Sequence, residues 1–436
     1  MNKHKKILLG QLGKRGDCLY ATAVARQIKH DYPHCHLTWA VSSMCRSIVE
    51  GNPFVDEIWE ILQDTNNDPS KTWYRFESEA IAKKQNGDFD ELFLTQIPPA
   101  NFQNYDGTSR SSLFRGYPRP ITVPVQPIVR LSASEIENVT KFVRRNNINT
   151  QDNVILFECT ATSGQSFLTP DFALETVNHV LNNDKKVKFI LTSDKKIITS
   201  LPNIIDASVL SFKENAELTK YCTLLVGCSS GISWLATSDW AKDLPKIQLL
   251  DAKTRMFASM IQDAKYFGLS TDRILEMQNC TPQHLADCIL LCLKAGFSEA
   301  KKNYHVETPL IFDFYFQGIY SAFLKQLNIV NAVKSMNVTL ERYHYDKQGT
   351  KDLVSIIRNI FFPYLDLFWN DLEEKDKKEI IDIIHYHPKN KSKIVVCVRS
   401  IIVIIIKSFF GSHTFIARIF LKDIIIKFTH TERLFE

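Results

Sequence analysis

The chain has 436 residues, a formal net charge of +5, 44% hydrophobic residues and 23% charged residues. This length allows two or three domains with sizeable cores, and the composition excludes a disordered or fibrous chain. From Lys391 onward, eight Lys or Arg oppose three Asp or Glu, which accounts for the whole excess of +5. The rest of the chain is neutral, so a general nucleic-acid binder is excluded.

The ten cysteines contain no C-x-x-C pair. The basic start MNKHKK leads into an apolar run that is too short for the core of a secretion signal. Both features predict reduced, buried thiols in a cytosolic protein.

Residues 1–130 alternate strand-like and helix-like segments, as a doubly wound parallel α/β domain does. The predicted strands are KKILLGQ, HLTWAVS, VDEIWEI and FDELFLTQ. CLYATAVARQIKHDYP carries apolar residues at helical spacing, and Pro33 ends it. Residues 97–127 hold six prolines and little periodicity, which predicts loops that enclose a cleft.

Residues 131–298 repeat this alternation, with strands predicted at NVILFEC, KVKFILTS, LLVGCSS and KIQLLDA. Two Rossmann-like halves predict a bilobed enzyme whose cleft lies between the lobes. Residues 299–390 are aromatic-rich and predict a helical extension, and residues 391–436 form a basic apolar tail.

The first chemistry-bearing loop is GKRGD, between the first strand and the first helix. Gly13 and Gly16 permit tight turns, and Lys14 and Arg15 lie between them. Asp17 then begins the helix, either as a cap or as a side chain that faces a substrate.

The second loop, CTATSGQS, offers hydroxyl groups and a glycine before a helix, a combination that favours phosphate binding. Ser193, at the end of the strand KVKFILTS, is a further donor-binding candidate. The candidates in and after this loop are Thr160, Thr162, Ser163, Gly164 and Ser193.

The third loop lies in VGCSSGISWLATS, where Ser229, Ser230 and Gly231 form the turn into a helix. Hydroxyl donors, a glycine that allows close approach and a helix dipole predict a diphosphate site. An ordinary Ser/Thr-rich turn or a capped turn without a ligand remains the alternative for the second and third loops.

Other common motifs are absent from the sequence. There is no GxxxxGK[ST] and no GxGxxG, which argues against a P-loop and against a nicotinamide enzyme. The histidine pairs His34/His36 and His385/His387 lack a third ligand at metal-site spacing, so no metal and no cofactor are expected.

The stretch ILLGQLGKRGDCLYATAVARQIKHDYP, followed by LTWAV and EGNPFVDEIW, resembles the opening of glycosyltransferase family 9, the heptosyltransferase-like enzymes of the GT-B fold. NAELTKYCTLLVGCSSGISWLA resembles the family segment that ends Asp-Thr-Gly-x-x-His-Leu-Ala. The resemblance covers about residues 1–295. Ser229 stands where that motif has Asp, and Trp234 where it has His.

This resemblance implies that Asp17 is the catalytic base, that Ser230 and Gly231 hold the donor diphosphate, and that residues 160–166 add phosphate contacts. The implied reaction inverts the anomeric centre and needs no metal. A nucleotide-diphosphate sugar would be the donor, and a glycan or glycolipid of bacterial lipopolysaccharide or capsule assembly would be the acceptor.

The tail residues Lys393, Arg399, Lys407, Arg418 and Lys422 fall in one half of a helical wheel, which predicts a basic amphipathic helix on an anionic membrane surface. The protein is therefore expected to be cytoplasmic and peripheral on the inner face of the cytoplasmic membrane. A buried helix or a strand is the alternative for this tail.

Two other functions remain open from the sequence. One is a nucleotide-sugar epimerase with the same two lobes. The other is a degenerate GT-B module that binds a glycan or acts as a scaffold, which the substitutions at Ser229 and Trp234 leave open.

Overall fold

The computed structural model describes residues 4–62, 68–149, 152–161, 164–199, 201–252, 255–308, 329–344 and 369–384, with shorter stretches between 312 and 366. The chain forms two compact units, residues 1–101 with 107–310 and residues 102–106 with 311–436. The tail 391–436 lies outside the described residues, so its predicted membrane contact stays a prediction.

The larger unit begins with a four-stranded parallel sheet in the order β3-β2-β1-β4. Its strands are β1 (Lys6–Gly10), β2 (His36–Ser42), β3 (Glu57–Ile61) and β4 (Glu91–Leu94). The helices in the same part of the chain are α1 (Arg15–Asp31), α2 (Arg46–Val49), α3 (Pro69–Gln85) and α4 (Ser109–Phe114). Ile7, Leu8 and Leu9 are fully buried, as the apolar run of a central parallel strand requires.

A six-stranded parallel sheet follows, in the order β10-β9-β8-β5-β6-β7. Its strands are β5 (Val154–Glu158), β6 (Lys188–Thr192), β7 (Ile204–Asp206), β8 (Leu224–Gly227), β9 (Lys246–Leu250) and β10 (Ile274–Gln278). The helices are α5 (Ala133–Arg145), α6 (Pro170–Asn183), α7 (Glu214–Leu218), α8 (Gly231–Leu235), α9 (Arg255–Ala258), α10 (Met260–Tyr266), α11 (Pro282–Ala295) and α12 (Phe297–Tyr304).

The core of this second sheet has two faces because side chains alternate along a strand. Ile155 and Phe157 of β5 belong to one apolar cluster, and Val154 and Leu156 belong to another. Every residue of β5 is buried, including the carboxylate-bearing Glu158 at its end. That burial brings a charged group into the interior at the position where a ligand would approach the sheet.

The smaller unit includes the helix Ile329–Tyr343, which packs against the short segment Phe102–Asn104. Arg342 Nη1 lies 3.3 Å from Asp106 Oδ2, and both side chains are almost completely buried. A further helix spans Glu374–Ile384. The described parts of the predicted extension 299–390 are therefore mostly helical.

The α/β class and the two parallel sheets that a GT-B arrangement requires are confirmed by the strand orders. The prediction of loops throughout 97–127 is wrong, because α4 lies there. Its six residues, SRSSLF, carry no apolar periodicity that could have marked a helix. The strands β7 and β10 were also missed, and the domain boundaries near residues 130 and 298 stay predictions.

Among the residues that the structure describes, no helix is both long enough and apolar enough to cross a bilayer.

We expect Gly10→Ala to destabilise the protein by about 1–3 kcal/mol, the usual cost of overpacking a core. The added Cβ would lie 2.6 Å from Leu94 Cδ2 and 2.9 Å from Phe76 Cζ. Gly16→Ala is the matched control, since a Cβ there meets nothing within 4 Å. Urea unfolding followed by circular dichroism measures both variants, and equal midpoints would contradict the expectation.

Candidate active site

The strand orders bring the predicted loops to particular sheet edges. In the second sheet the chain runs from β5 outward to β7 and then returns to β8 on the other side of β5. Ligands of open α/β sheets bind at such a reversal, outside the carboxyl ends of the strands. Residues 159–166 follow β5 and residues 228–231 follow β8, so both predicted donor loops begin there. The first sheet reverses between β1 and β4 in the same way.

The loop after β1 is braced by two glutamines that sequence reasoning missed. Gln11 Nε2 donates to the carbonyl of Gly13 at 2.7 Å and to Gln96 Oε1 at 2.9 Å. Gln96 Oε1 also accepts from the amides of Leu12 at 3.1 Å and Gly13 at 3.3 Å. These bonds fix the backbone that leads into α1, whose first residues are the exposed Arg15 and the half-buried Gly16.

Asp17 lies in the first turn of α1 and has the capping role that the sequence allowed. Its Oδ2 accepts from the amide of Lys14 at 3.2 Å, which caps the helix. The residue keeps some solvent contact, but removal of water from the carboxyl raises its pKa from the ordinary 3.8 to about 6.

Helix α1 contacts α8 through aromatic side chains. Tyr20 packs edge-to-face on Trp234, with ring centroids 5.1 Å apart. The guanidinium of Arg15 lies 5.3 Å from the ring centroid of Phe212. A Cβ on Gly231 would lie 2.9 Å from that same ring. The helix that carries Asp17 is thereby held beside the turn at Ser230 and Gly231.

Ser229 holds this turn in shape. It has a positive φ of 51°, its amide donates to Gln248 Oε1 at 2.7 Å, and its hydroxyl donates to the carbonyl of Ala258. Ser229 is buried, whereas Ser230 and Gly231 are half-buried. The polar groups of Ser229 therefore serve the turn, and Ser230 and Gly231 keep surface that a ligand could contact.

Glu158 occupies part of the predicted anion site. Its carboxylate accepts from the amides of Cys228 at 3.2 Å, Ile232 at 2.9 Å and Ser233 at 3.3 Å, and from Ser233 Oγ at 2.5 Å. Burial raises the pKa of Glu158, and these donors oppose the rise. The only sequence signal for this role is an acidic residue at the end of the apolar run VILFE.

The loop after β5 meets the turn after β8. Cys228 Sγ donates to the carbonyl of Thr160 at 3.3 Å, and Gln165 Nε2 donates to the carbonyl of Ser229 at 3.3 Å. Gly164 has a positive φ of 70°. Thr162 and Ser163 lie outside the described residues.

Ser193 lies in a separate turn after β6, where its hydroxyl accepts from the amide of Lys195 at 3.2 Å. Since β6 lies next to β5 and runs parallel to it, this turn is at the same edge of the sheet as residues 159–166. Its role in donor binding stays a prediction.

Within the described ranges, no three His, Cys, Asp or Glu side chains come together as a metal site. His36 instead faces Glu57, with Nε2 and Oε2 3.2 Å apart. His385 and His387 lie outside the described residues.

No protein-family model and no curated protein matches this sequence significantly. Similar solved structures include a family 9 glycosyl transferase from Veillonella parvula DSM 2008, at 12% identity and a TM-score of 0.47 over 75% of this chain and 99% of that chain. The E. coli ADP-heptose LPS heptosyltransferase II is similar at 12% identity and a TM-score of 0.45, over 67% of this chain and 99% of that chain.

A putative UDP-N-acetylglucosamine 2-epimerase from Listeria monocytogenes is similar at 10% identity and a TM-score of 0.40, over 74% of this chain and 97% of that chain. A family 9 glycosyl transferase is thus among the similar structures. At these scores the likeness carries no argument about activity, which has to come from the site.

We expect Asp17→Asn to be more stable than the wild type at neutral pH and equally stable near pH 4. The folded protein holds the Asp17 proton up to about pH 6, whereas the unfolded chain releases it near 3.8, so wild-type stability falls as pH rises through this window. Urea unfolding at several pH values tests this. Asp88→Asn, at an exposed carboxylate, controls for the loss of one charge. A difference between Asp17→Asn and the wild type that does not vary with pH would contradict the expectation.

Proposed function

We propose that this chain is an inverting, metal-independent glycosyltransferase that moves a sugar from a nucleotide-diphosphate donor to a glycan or glycolipid acceptor. The observation that carries the proposal is the raised pKa of Asp17, about 6, on a helix that packs beside the turn at Ser230 and Gly231. A proton acceptor and a site for an anionic leaving group are the two parts that this chemistry needs.

Asp17 is the proposed general base. The acceptor hydroxyl attacks the anomeric carbon and gives its proton to the Asp17 carboxylate as the new oxygen–carbon bond forms. A carboxylate with a pKa of about 6 is ionised near neutral pH, and it binds a proton more strongly than an ordinary carboxylate does. It is therefore both in the correct protonation state and a better acceptor for the proton of the attacking hydroxyl. Attack from the face opposite the leaving group inverts the anomeric centre.

The bond from the anomeric carbon to the donor phosphate breaks in the same step, and the nucleoside diphosphate leaves with the electron pair. We propose that the Ser230 hydroxyl, the Gly231 backbone and the loop from Thr160 to Gly164 contact this diphosphate. Arg15, stacked on Phe212 beside Gly231, is the cation that supports this proposal most directly, since it can offset the charge without a metal.

The acceptor is proposed to be a glycan or glycolipid of bacterial surface polysaccharide assembly, such as lipopolysaccharide or capsule. The basic apolar composition of residues 391–436 supports a peripheral attachment to the anionic inner face of the cytoplasmic membrane. Such an attachment would bring the candidate active site close to an acceptor that is anchored in lipid.

A second candidate is a degenerate GT-B module that binds a glycan or a nucleotide sugar without turnover. The carboxylate of Glu158 favours it, because it already binds the amides of Ile232 and Ser233 that a donor phosphate would otherwise use. The two candidates differ in whether a bound donor is consumed.

We expect Asp17→Asn to lower kcat by roughly 10²–10⁴-fold with little change in donor KM, because the amide cannot take a proton. To choose the donor, nucleotide sugars are screened for those that raise the midpoint of thermal unfolding, because a ligand that binds only the native state stabilises it. In the wild type, we expect kcat/KM to decrease as the pH falls below about 6, because Asp17 becomes protonated. Donor binding without turnover in the wild type would support the degenerate module instead, and sugar conversion without an acceptor would indicate an epimerase.

The neighbours Ser229 and Ser230 form a matched pair for the donor site. We expect Ser230→Ala to weaken donor binding roughly fivefold, the worth of about one hydrogen bond, with little change in stability. Ser229→Ala should instead lower the unfolding midpoint, because its hydroxyl is bonded to the carbonyl of Ala258 inside the protein. Calorimetric titration and thermal unfolding of both variants measure this, and the reverse pattern would contradict the assignment.

A further inference from the structure

The peptide group between Gly13 and Lys14 is hydrogen-bonded at both of its polar atoms. Its carbonyl, on Gly13, accepts from Gln11 Nε2 at 2.7 Å. Its N–H, on Lys14, donates to Asp17 Oδ2 at 3.2 Å. Because the carbonyl and the N–H belong to one planar group, a side chain that holds the carbonyl also sets the direction of the N–H. The Gln11 side chain and the Asp17 carboxylate are therefore joined through a single peptide group.

The orientation of the two glutamines in this loop follows from their partners. The amides of Leu12 and Gly13 can only donate, so the Gln96 atom that they meet at 3.1 and 3.3 Å is the oxygen. That oxygen and the Gly13 carbonyl can only accept, so the Gln11 atom 2.9 and 2.7 Å from them is the nitrogen. The hydroxyl of Thr95 donates to the remaining atom, Gln11 Oε1, at 2.9 Å. Each bond of this chain thus has one possible direction.

Gln11 itself is held firmly by the first sheet. Its side chain is 1% exposed, and its backbone N–H donates to the carbonyl of Ala40 on β2 at 3.2 Å. Its own carbonyl accepts from Trp39 Nε1 at 3.1 Å. A buried amide whose donors and acceptor all have partners loses those bonds if it rotates, and an unmet buried polar group costs free energy. The sheet therefore fixes the Gly13 carbonyl through Gln11.

We propose that Gln11 is a positioning residue for the proton acceptor Asp17, because it orients the peptide group that donates to the Asp17 carboxylate. Gln96 supports Gln11 by accepting from its Nε2 and from the amides of Leu12 and Gly13. The inference rests on the proposed function for its catalytic meaning, but the chain of hydrogen bonds can be measured without any turnover.

The proposal has a defined electrostatic consequence. Donation from the Lys14 N–H favours the ionised carboxylate, so it opposes the rise in the pKa of Asp17 that burial causes. Hydrogen bonds in a chain polarise one another, so donation from Gln11 to the Gly13 carbonyl strengthens the Lys14 N–H as a donor. Substitution of Gln11 leaves in place the titratable groups that interact with Asp17, which are Lys14, Cys18, Tyr20 and Cys45.

The experiment follows two resonances in one NMR titration, the ¹³C signal of the Asp17 carboxyl, assigned with Asp17→Asn, and the ¹⁵N–¹H signal of the Lys14 amide, assigned with Lys14→Arg. In the wild type, we expect both to titrate with the same midpoint. Gln11→Met keeps the length of the side chain but not its amide. We expect it to raise the pKa of Asp17 by about 0.5–1 unit and to make the Lys14 amide largely insensitive to the titration. Wild-type behaviour of both signals in Gln11→Met would overturn the proposal.

Gln27→Met is the matched control, since it removes another buried glutamine next to the same helix. Gln27, on α1, is also 1% exposed, and its Oε1 accepts from the amides of Thr122 at 2.8 Å and Val123 at 3.1 Å. We expect this variant to be less stable, while Asp17 and Lys14 titrate as in the wild type. Equal shifts in Gln27→Met and Gln11→Met would reveal a general effect of lost stability, and the positioning role would then be wrong.

Gln96 provides a second pair of variants if Gln11→Met does not fold. Gln96→Glu keeps an oxygen for Gln11 Nε2 and for the two loop amides, whereas Gln96→Met removes it. We expect the Lys14 amide to follow the Asp17 titration in the glutamate variant and to lose most of that response in the methionine variant. The response is compared rather than the midpoint, because the charge of the new glutamate itself raises the pKa of Asp17. The same response in both variants would overturn the proposal.

This proposal and the proposed function fail in different ways. If the NMR signals change as expected but no nucleotide sugar is consumed, the proposed function fails and the positioning of Asp17 by Gln11 stands. If transfer occurs, the pH below which kcat/KM decreases should be higher in Gln11→Met than in the wild type, by the same amount as the NMR pKa. If that pH does not change, Gln11 has no part in the reaction.

Discussion

The contact between α1 and α8 is the constraint on which the candidate site depends. Tyr20 and Trp234 meet edge-to-face, and the buried guanidinium of Arg110 lies over both rings while it pairs with Asp263. A charge removed from water is tolerated only where a partner and suitable rings surround it, so these side chains have to stay together. Their packing fixes the start of α1, and with it Asp17, relative to the turn after β8.

The second sheet contains a carboxylate where the sequence led us to expect a ligand. Glu158 binds three backbone amides at the end of β8 and the start of α8, much as a bound anion would. A buried carboxylate with these donors stabilises the turn but takes up hydrogen bonds that a phosphate could have used. Under the proposed function, Ser230, Gly231 and the loop after β5 therefore provide the donor contacts. Because Glu158 already accepts from these amides, a binding module without turnover is the second candidate beside a transferase.

Asp17 and Glu158 have raised pKa values for the same reason, the loss of water around a carboxyl, yet their surroundings differ. The Glu158 side chain is buried, and its carboxylate accepts from three backbone amides and one hydroxyl. Asp17 is half-buried, and the amide of Lys14 donates to its carboxylate. Under the proposed function, Asp17 rather than Glu158 is therefore the proton acceptor.

The sequence by itself determined the α/β class, most of the strands and the position of Asp17 at the start of α1, because apolar periodicity and glycine-bounded turns are local signals. It missed α4, β7 and β10, which are short or lack periodicity. Only the tertiary structure decided that Glu158 binds the amides of Cys228, Ile232 and Ser233. It also decided that the Ser229 hydroxyl bonds inside the protein and that Arg110 lies over the ring of Tyr20. Those contacts join residues far apart in the chain, and no local pattern encodes which distant side chain will meet a given carboxylate.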